Sequence, residues 1–194
     1  MSELSLGIIG GGQLGSMLSI AAKKLNIKTI VYSDDKDAPA QNFCDEFVSG
    51  RYDDIKKISE FTNKVNFITY EFENIPYETL NEMNKSIPVL PKPSVNRLIQ
   101  HRLAEKDFIN RLNIRTTRYV SIEKKSDLDT LKDFLPGILK TTTMGYDGKG
   151  QHPISKIDDL DTLNIDFSKG YILEKLVKLK KEISVIVTRF GNYE

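Results

Sequence analysis

The chain has 194 residues, with 28 basic and 27 acidic side chains and a net charge of +1. It therefore lacks the cationic excess of a nucleic-acid binder, while its 39% hydrophobic content suits one large or two small globular domains. A lone cysteine, Cys44, excludes an internal disulfide, the two histidines His101 and His152 exclude a Cys/His zinc site, and no apolar run is long enough to span a bilayer.

Chain order begins at Met1-Ser2-Glu3-Leu4, where an acid replaces the basic start of a signal peptide, so a reducing cytoplasmic setting is expected. The first half alternates short apolar runs with helical spacing, the pattern of parallel βαβ units. Strands are predicted over 6–9, 28–32 and 67–70, and helices over 14–25 and 53–63. Between the first strand and helix lies Gly10-Gly11-Gly12-Gln13-Leu14-Gly15, a G-x-G-x-x-G match, with Asp34 and Asp35 about 20 residues on. Such glycines allow a tight turn that aims a helix N-terminus at an anion, without preferring a pyrophosphate over a phosphate monoester. A dinucleotide-dependent oxidoreductase is one reading of this half.

Thr69-Tyr70-Glu71-Phe72-Glu73-Asn74-Ile75-Pro76 falls on the carboxyl edge of the expected sheet, where open α/β folds bind ligands. Glu73 and Asn74 either meet a ligand or cap a helix that starts near Pro76 and holds Glu78 in its first turn. Residues 89–90 form a short strand before Pro91 and Pro93, where a domain boundary is expected. The apolar spacing over 94–112 predicts a helix broken near His101. Strands follow over 119–122, 137–141, 152–155, 171–176 and 182–189, with a helix over 126–134, and no internal repeat stands out. After the last strand Gly191-Asn192 offers a turn without a returning strand, which reads as part of a longer fold.

The most informative stretch is Lys140-Thr141-Thr142-Thr143-Met144-Gly145-Tyr146-Asp147-Gly148-Lys149-Gly150-Gln151, which follows an apolar strand. Glycines let backbone N–H groups approach an anion, and a lysine at a strand end adds a point charge, so a lid over nucleotide phosphates is expected, and with it ATP-dependent chemistry. A P-loop is excluded because Lys149 is followed by Gly150, and the kinase loop because its glycines run in the opposite order. A plain hairpin turn is the alternative.

Taken together, Gly-Gly-Gln-Leu-Gly, Tyr-Glu-Phe-Glu-Asn-Ile-Pro and Lys-Thr-Thr-Thr-Met-Gly-Tyr-Asp-Gly-Lys-Gly-Gln resemble the 5-(carboxyamino)imidazole ribonucleotide synthetases, ATP-grasp ligases of purine biosynthesis. The resemblance implies an α/β fold: a Rossmann-like pre-ATP-grasp domain over 1–93, then an incomplete α+β ATP-grasp domain. The latter comprises a small subdomain with the lid over 94–172 and the hinge and first strands of a larger subdomain over 173–194. It implies ATP-driven carboxylation of 5-aminoimidazole ribonucleotide by bicarbonate through carboxyphosphate, in a protein that is a homodimer at full length and has no nucleic-acid or membrane partner. Arg102, Lys140, Gly145, Tyr146, Asp147, Gly148, Lys149, Gly150, Gln151, Glu174, Lys175, Leu176, Val177 and Glu182 would then serve ATP, with Glu174 to Val177 along the adenine and Glu182 on the ribose. Gln13, Leu14 and Glu73 would line the ribonucleotide site, and Tyr146 and Asp147 would handle the proton of the amine. Mg²⁺ ligands belong to the family's later segment, which has no counterpart here, so the chain alone is expected to be inactive. Ser16 stands where the family has arginine, which would remove one contact to the substrate phosphate, and Met144 replaces a glycine, which would stiffen the lid.

Overall fold

Short runs of Ile, Val and Tyr build the first sheet of the computed structural model, which describes residues 4–145, 150–163 and 165–187. The chain divides into two units, Met1–Ile114 and Arg115–Glu194. In the first unit β1 (Ser5–Ile9), β2 (Lys28–Ser33), β3 (Glu46–Ser49) and β4 (Phe67–Tyr70) form a parallel sheet in the order β3-β2-β1-β4. Successive residues of a strand point to opposite faces. Ile9, Ile30 and Ile68 accordingly pack with Phe61, Ile75, Leu80 and Met83 on one side, and Ile8 and Val31 pack with Ala40 on the other.

Three helices follow strands of this sheet: α1 (Gln13–Lys24), α2 (Ile55–Thr62) and α3 (Tyr77–Met83). The small buried Ser16 and Ser19 turn their hydroxyls onto the carbonyls of Gly12 and Gly15. Past the C-terminus of α1, Asn26 takes φ 56°, the left-handed position that asparagine tolerates. The Asp54 side chain caps α2 by accepting from Lys57 N at 3.1 Å. Residues 89–90 contribute a single parallel bridge from Val89 to Ile68, bounded by hydrogen bonds from Ile68 N to Pro88 O and from Leu90 N to Ile68 O. Strand β3 and the 3-10 segment Pro39–Asn42 were not foreseen, because a half-buried edge strand with two apolar residues leaves no continuous hydrophobic run. The helix expected over 94–112 divides as expected into α4 (Pro93–Ile99) and α5 (Arg102–Arg111), with His101 Nδ1 capping the second by accepting from Ala104 N at 3.3 Å.

In the second unit β5 (Tyr119–Ile122), β6 (Gly137–Thr141), β7 (Gln151–Ile154) and β8 (Tyr171–Lys175) form an antiparallel sheet in the order β5-β8-β6-β7. Ile122, Leu139, Tyr171 and Leu173 line its core face with Leu131, Ile154 and Leu160. The helix expected over 126–134 is instead a run of 3-10 turns, Lys125–Phe134. Asp127 folds back to accept from the N–H groups of Glu123 and Lys124, so its carboxylate competes with α-helical propagation. Asp159 does the same for Ser155 and Lys156 at the head of the 3-10 segment Ile157–Thr162.

These segments expose a short repeat that the hydrophobic pattern concealed. Ile122-Glu123-Lys124-Lys125-Ser126-Asp127-Leu128-Asp129-Thr130-Leu131 matches Ile154-Ser155-Lys156-Ile157-Asp158-Asp159-Leu160-Asp161-Thr162-Leu163 at the opening Ile, Lys124/Lys156, Asp127/Asp159 and the closing Leu-Asp-Thr-Leu. Backbone N–H donors hold both capping carboxyls below their ordinary value of 3.8. A lowered folded-state value means that the stabilisation is present above the unfolded value and is lost as pH falls through the folded one. Replacing Asp127 and Asp159 together by asparagine is therefore expected to flatten the melting temperature against pH below about 4. An unchanged acid limb in differential scanning calorimetry would refute this.

The strand expected over 182–189 is absent from its described part, 182–187. Its Ile183, Val185, Ile186 and Val187 are 72–93% exposed. Alternation alone does not make a strand: the backbone needs a ladder partner, and none is present among the described residues. Arg189 and the Gly191-Asn192 turn lie outside those residues.

Candidate functional site

In the first unit the carboxyl edge of the parallel sheet carries the glycine turn and the ends of β2, β3 and β4. Gly10 holds φ 102°, and a Cβ there would stand 2.8 Å from Glu71 Oε1, while a Cβ on Gly15 would stand 2.6 Å from the Gly10 carbonyl oxygen. These positions let α1 start against the strand end. The N–H of Gly12 donates to Glu71 Oε1 at 2.9 Å. The chain's own carboxylate thus occupies the glycine turn at the positive end of α1, where the motif suggested a bound anion.

The dinucleotide reading weakens further at β2. Tyr52 packs beside Asp34, and burial followed by the charge of Asp34 pushes its phenol well above the ordinary value. Buried Tyr32 donates to the Arg51 carbonyl at 2.7 Å, and its phenol is pushed up to about 12, first by burial and then by Asp54, Asp53 and Asp34. With Glu71 and Glu73 at the end of β4, this edge is predominantly acidic and suits a ligand that brings hydrogen-bond donors.

Gln13 and Leu14 open α1 and are exposed, and Glu73 is exposed on the loop from β4 to α3. Glu71 escaped the sequence reading. Its signal was position: its N–H donates to Ile9 O at 3.0 Å, extending the β1–β4 pairing by one residue and aiming the side chain at the glycine turn. Ser16, in the place of the family's arginine, spends its hydroxyl on the Gly12 carbonyl. Arg102 is the first residue of α5 and is half-buried.

In the second unit, antiparallel pairing places Lys140 opposite Gln151 and Ile172, and Glu174 opposite Ile138 and Tyr119. Directly opposed residues share a face, so Lys140, Gln151 and Glu174 lie together on the face away from the Leu139–Leu173 core. Lys140 Nζ donates to Glu174 Oε2 at 2.8 Å, diagonally across β6 and β8. The side chains are only 17% and 11% exposed, which strengthens the charge pairing and makes each ion costly to leave alone.

The glycine-rich stretch leaves from the end of β6 and returns at the start of β7. Gly150, at φ 68°, accepts from Thr141 N at 3.0 Å. Tyr146, Asp147, Gly148 and Lys149 lie outside the described residues. Met144 takes φ 59° next to Gly145, a left-handed backbone that penalises a residue with a Cβ and accounts for glycine in the resembled family. Lys175 turns away from Lys140 and Glu174, donating from Nζ to the Asp133 carbonyl at 2.8 Å. Leu176 N–H donates to Pro136 O at 2.9 Å, Leu176 and Val177 are 51% and 53% exposed, and Glu182 lies in the exposed run that joins no ladder.

Among the described residues no group of three or more His, Cys, Asp or Glu side chains is placed to hold a metal ion. The described side chains therefore do not fit a Mg²⁺ ion. No helix among them is long and apolar enough to cross a membrane.

Comparison with known proteins agrees with both halves of this geometry. Residues 3–100 match the family model of the ribonucleotide synthetase preATP-grasp domain, and residues 107–193 match that of the ATP-grasp domain. The chain is 37% identical over 193 residues to the bifunctional purine synthesis protein purC/E of Dictyostelium discoideum, covering 95% of this chain and 19% of that protein. It is 35% identical over 191 residues to the N5-carboxyaminoimidazole ribonucleotide synthase of Staphylococcus aureus strain COL, covering 97% of this chain and 51% of the relative. The crystal structure of N5-carboxyaminoimidazole synthetase from Staphylococcus aureus complexed with ADP superposes with a TM-score of 0.83 at 33% identity, covering 91% of this chain and 48% of that one. The chain thus spans about half the length of the synthases it matches. A dinucleotide-dependent oxidoreductase finds no support in these relatives. With an acidic parallel-sheet edge in one unit and a lysine–glutamate pair on an antiparallel sheet in the other, the chain belongs to the ribonucleotide synthetase family whose preATP-grasp domain continues into an ATP-grasp domain.

Proposed function

We propose that this chain carries the ribonucleotide edge and part of the ATP site of an enzyme that carboxylates 5-aminoimidazole ribonucleotide with bicarbonate. The observation that carries the reading is the Lys140–Glu174 pair, held with Gln151 on one sheet face at the root of the glycine loop. Lys140 supplies a fixed positive charge for phosphate oxygens during phosphoryl transfer to bicarbonate, and Glu174 orients that ammonium and borders the adenine. Leu176 and Val177 give the adenine edge an apolar border. Gln13, Leu14 and Glu73 contact the ribonucleotide, whose amine and hydroxyls bring the donors that the acidic edge requires. Tyr146 and Asp147 on the lid take the proton of the amine as the carbamate forms. The sequence-derived domain limits at 93 and 172 belong to this reading, as do Arg102 on the phosphates, Glu182 on the ribose, a homodimer at full length and a cytoplasmic location.

Thermal melting and titration calorimetry of this chain test the reading. ATP and 5-aminoimidazole ribonucleotide are each expected to raise the melting temperature, and NADH is not. Lys140→Ala should weaken ATP binding by about 1.5–3 kcal/mol, the worth of hydrogen bonds to a charged group, or roughly 10- to 100-fold in Kd. A shift with NADH and none with ATP would overturn it.

A further inference from the structure

The β4–α3 loop that presents Glu73 is held from α4. Gln100, at the end of α4, places Nε2 at 2.7 Å from the Glu73 carbonyl oxygen and at 2.7 Å from that of Ile75. Asn96, one helical turn earlier and fully buried, sets Nδ2 at 3.2 Å from the same Ile75 carbonyl. Because two carbonyl oxygens face one side-chain atom of Gln100, that atom must be the amide nitrogen, whose two hydrogens serve one carbonyl each. Helix α4 is in turn fixed to the start of α3 by the Arg97 guanidinium, 4.8 Å from the centre of the Tyr77 ring. The other end of the loop is tied down where Glu71 accepts from Gly12 N. Between these anchors the Glu73 carboxylate is exposed and makes no hydrogen bond or ion pair of its own among the described residues. What these bonds hold in place is its main chain.

We propose that Gln100 is a positioning residue for the ribonucleotide edge: its amide fixes the backbone at Glu73 and Ile75 and so aims the Glu73 carboxylate at the substrate. The part concerning substrate rests on the function proposed above. Asn96 holds the loop to the core, and Gln100 sets its orientation at the surface. The two roles separate experimentally because Ile75 keeps the Asn96 bond when Gln100 changes.

The test uses Gln100→Glu, which replaces the donor by an acceptor that two carbonyls repel, and Gln100→Lys, which restores a donor of similar reach. Hydrogen exchange over residues 71–76 is measured in the unliganded chain, with calorimetric Kd values for 5-aminoimidazole ribonucleotide and ATP. Gln100→Glu is expected to speed exchange in the loop and weaken ribonucleotide binding by about tenfold, a loss comparable to one hydrogen bond. ATP affinity should stay unchanged, and Gln100→Lys should recover both loop exchange and ribonucleotide binding. Wild-type exchange and affinity in Gln100→Glu would overturn the proposal, as would a loss that Gln100→Lys fails to rescue. If the wild-type chain does not bind the ribonucleotide, the substrate reading falls, and loop exchange alone decides the positioning role: faster in Gln100→Glu and restored in Gln100→Lys supports it, unchanged overturns it.

Discussion

Glu174→Leu is expected to destabilise the second unit by about 3 kcal/mol, the lower end of the range for stripping one partner from a buried ion pair. The Lys140 side chain, 17% exposed, would lose the carboxylate 2.8 Å away. The double variant Lys140→Met with Glu174→Leu should regain most of that stability, because two apolar side chains of similar volume carry no desolvation cost. It should not regain ATP binding, since the positive charge is gone. Urea denaturation of the single and double variants measures the coupling directly. A single-variant cost below about 1 kcal/mol would mean that the pair behaves like an exposed surface bridge.

Phe61→Ala is the other large effect, with an expected cost of about 3–5 kcal/mol to the first unit. Phe61 is fully buried, its ring centre lies 5.4 Å from that of Tyr32, and it packs over β1 at Gly7. A Cβ on Gly7 would approach Phe61 Cζ to 2.7 Å, so Gly7→Ala alone should overpack the same spot at about 1–3 kcal/mol. Gly7→Ala combined with Phe61→Leu should cost less than the sum, since the shorter side chain vacates the volume that the methyl needs. Additive losses in thermal or urea unfolding would show that Gly7 and Phe61 do not share that space. Because β1 leads into the glycine turn, ribonucleotide binding should fall together with stability in Phe61→Ala.

Much of the fold was legible in the sequence. Periodicity placed β1, α1, β2, β4 and the break at His101, because buried strands and amphipathic helices write their faces into local spacing. The resemblance to the ATP-grasp family rested on three motifs in order, each of only a few residues, so it needed no long-range structure to be visible. The 3-10 segments were misread because Asp127 and Asp159 act through bonds back to the preceding main chain, which competes with helical spacing without altering it. The run over 182–187 was misread for the opposite reason: alternation supplies a strand's faces and not its ladder partner.

Local sequence determined which groups the chain can offer: a glycine turn, an acidic loop, a lysine at the root of a glycine-rich stretch. Only the tertiary structure decided how they are shared out. Folding brought Glu71 back across the sheet to fill the anion seat of α1, set Glu174 diagonally across two strands from Lys140, and ran Gln100 under the loop of Glu73. Each of these pairings joins residues far apart in the chain through a hydrogen bond of 2.7–2.9 Å. Such a bond depends on strand register and helix placement, which no local pattern of residues specifies.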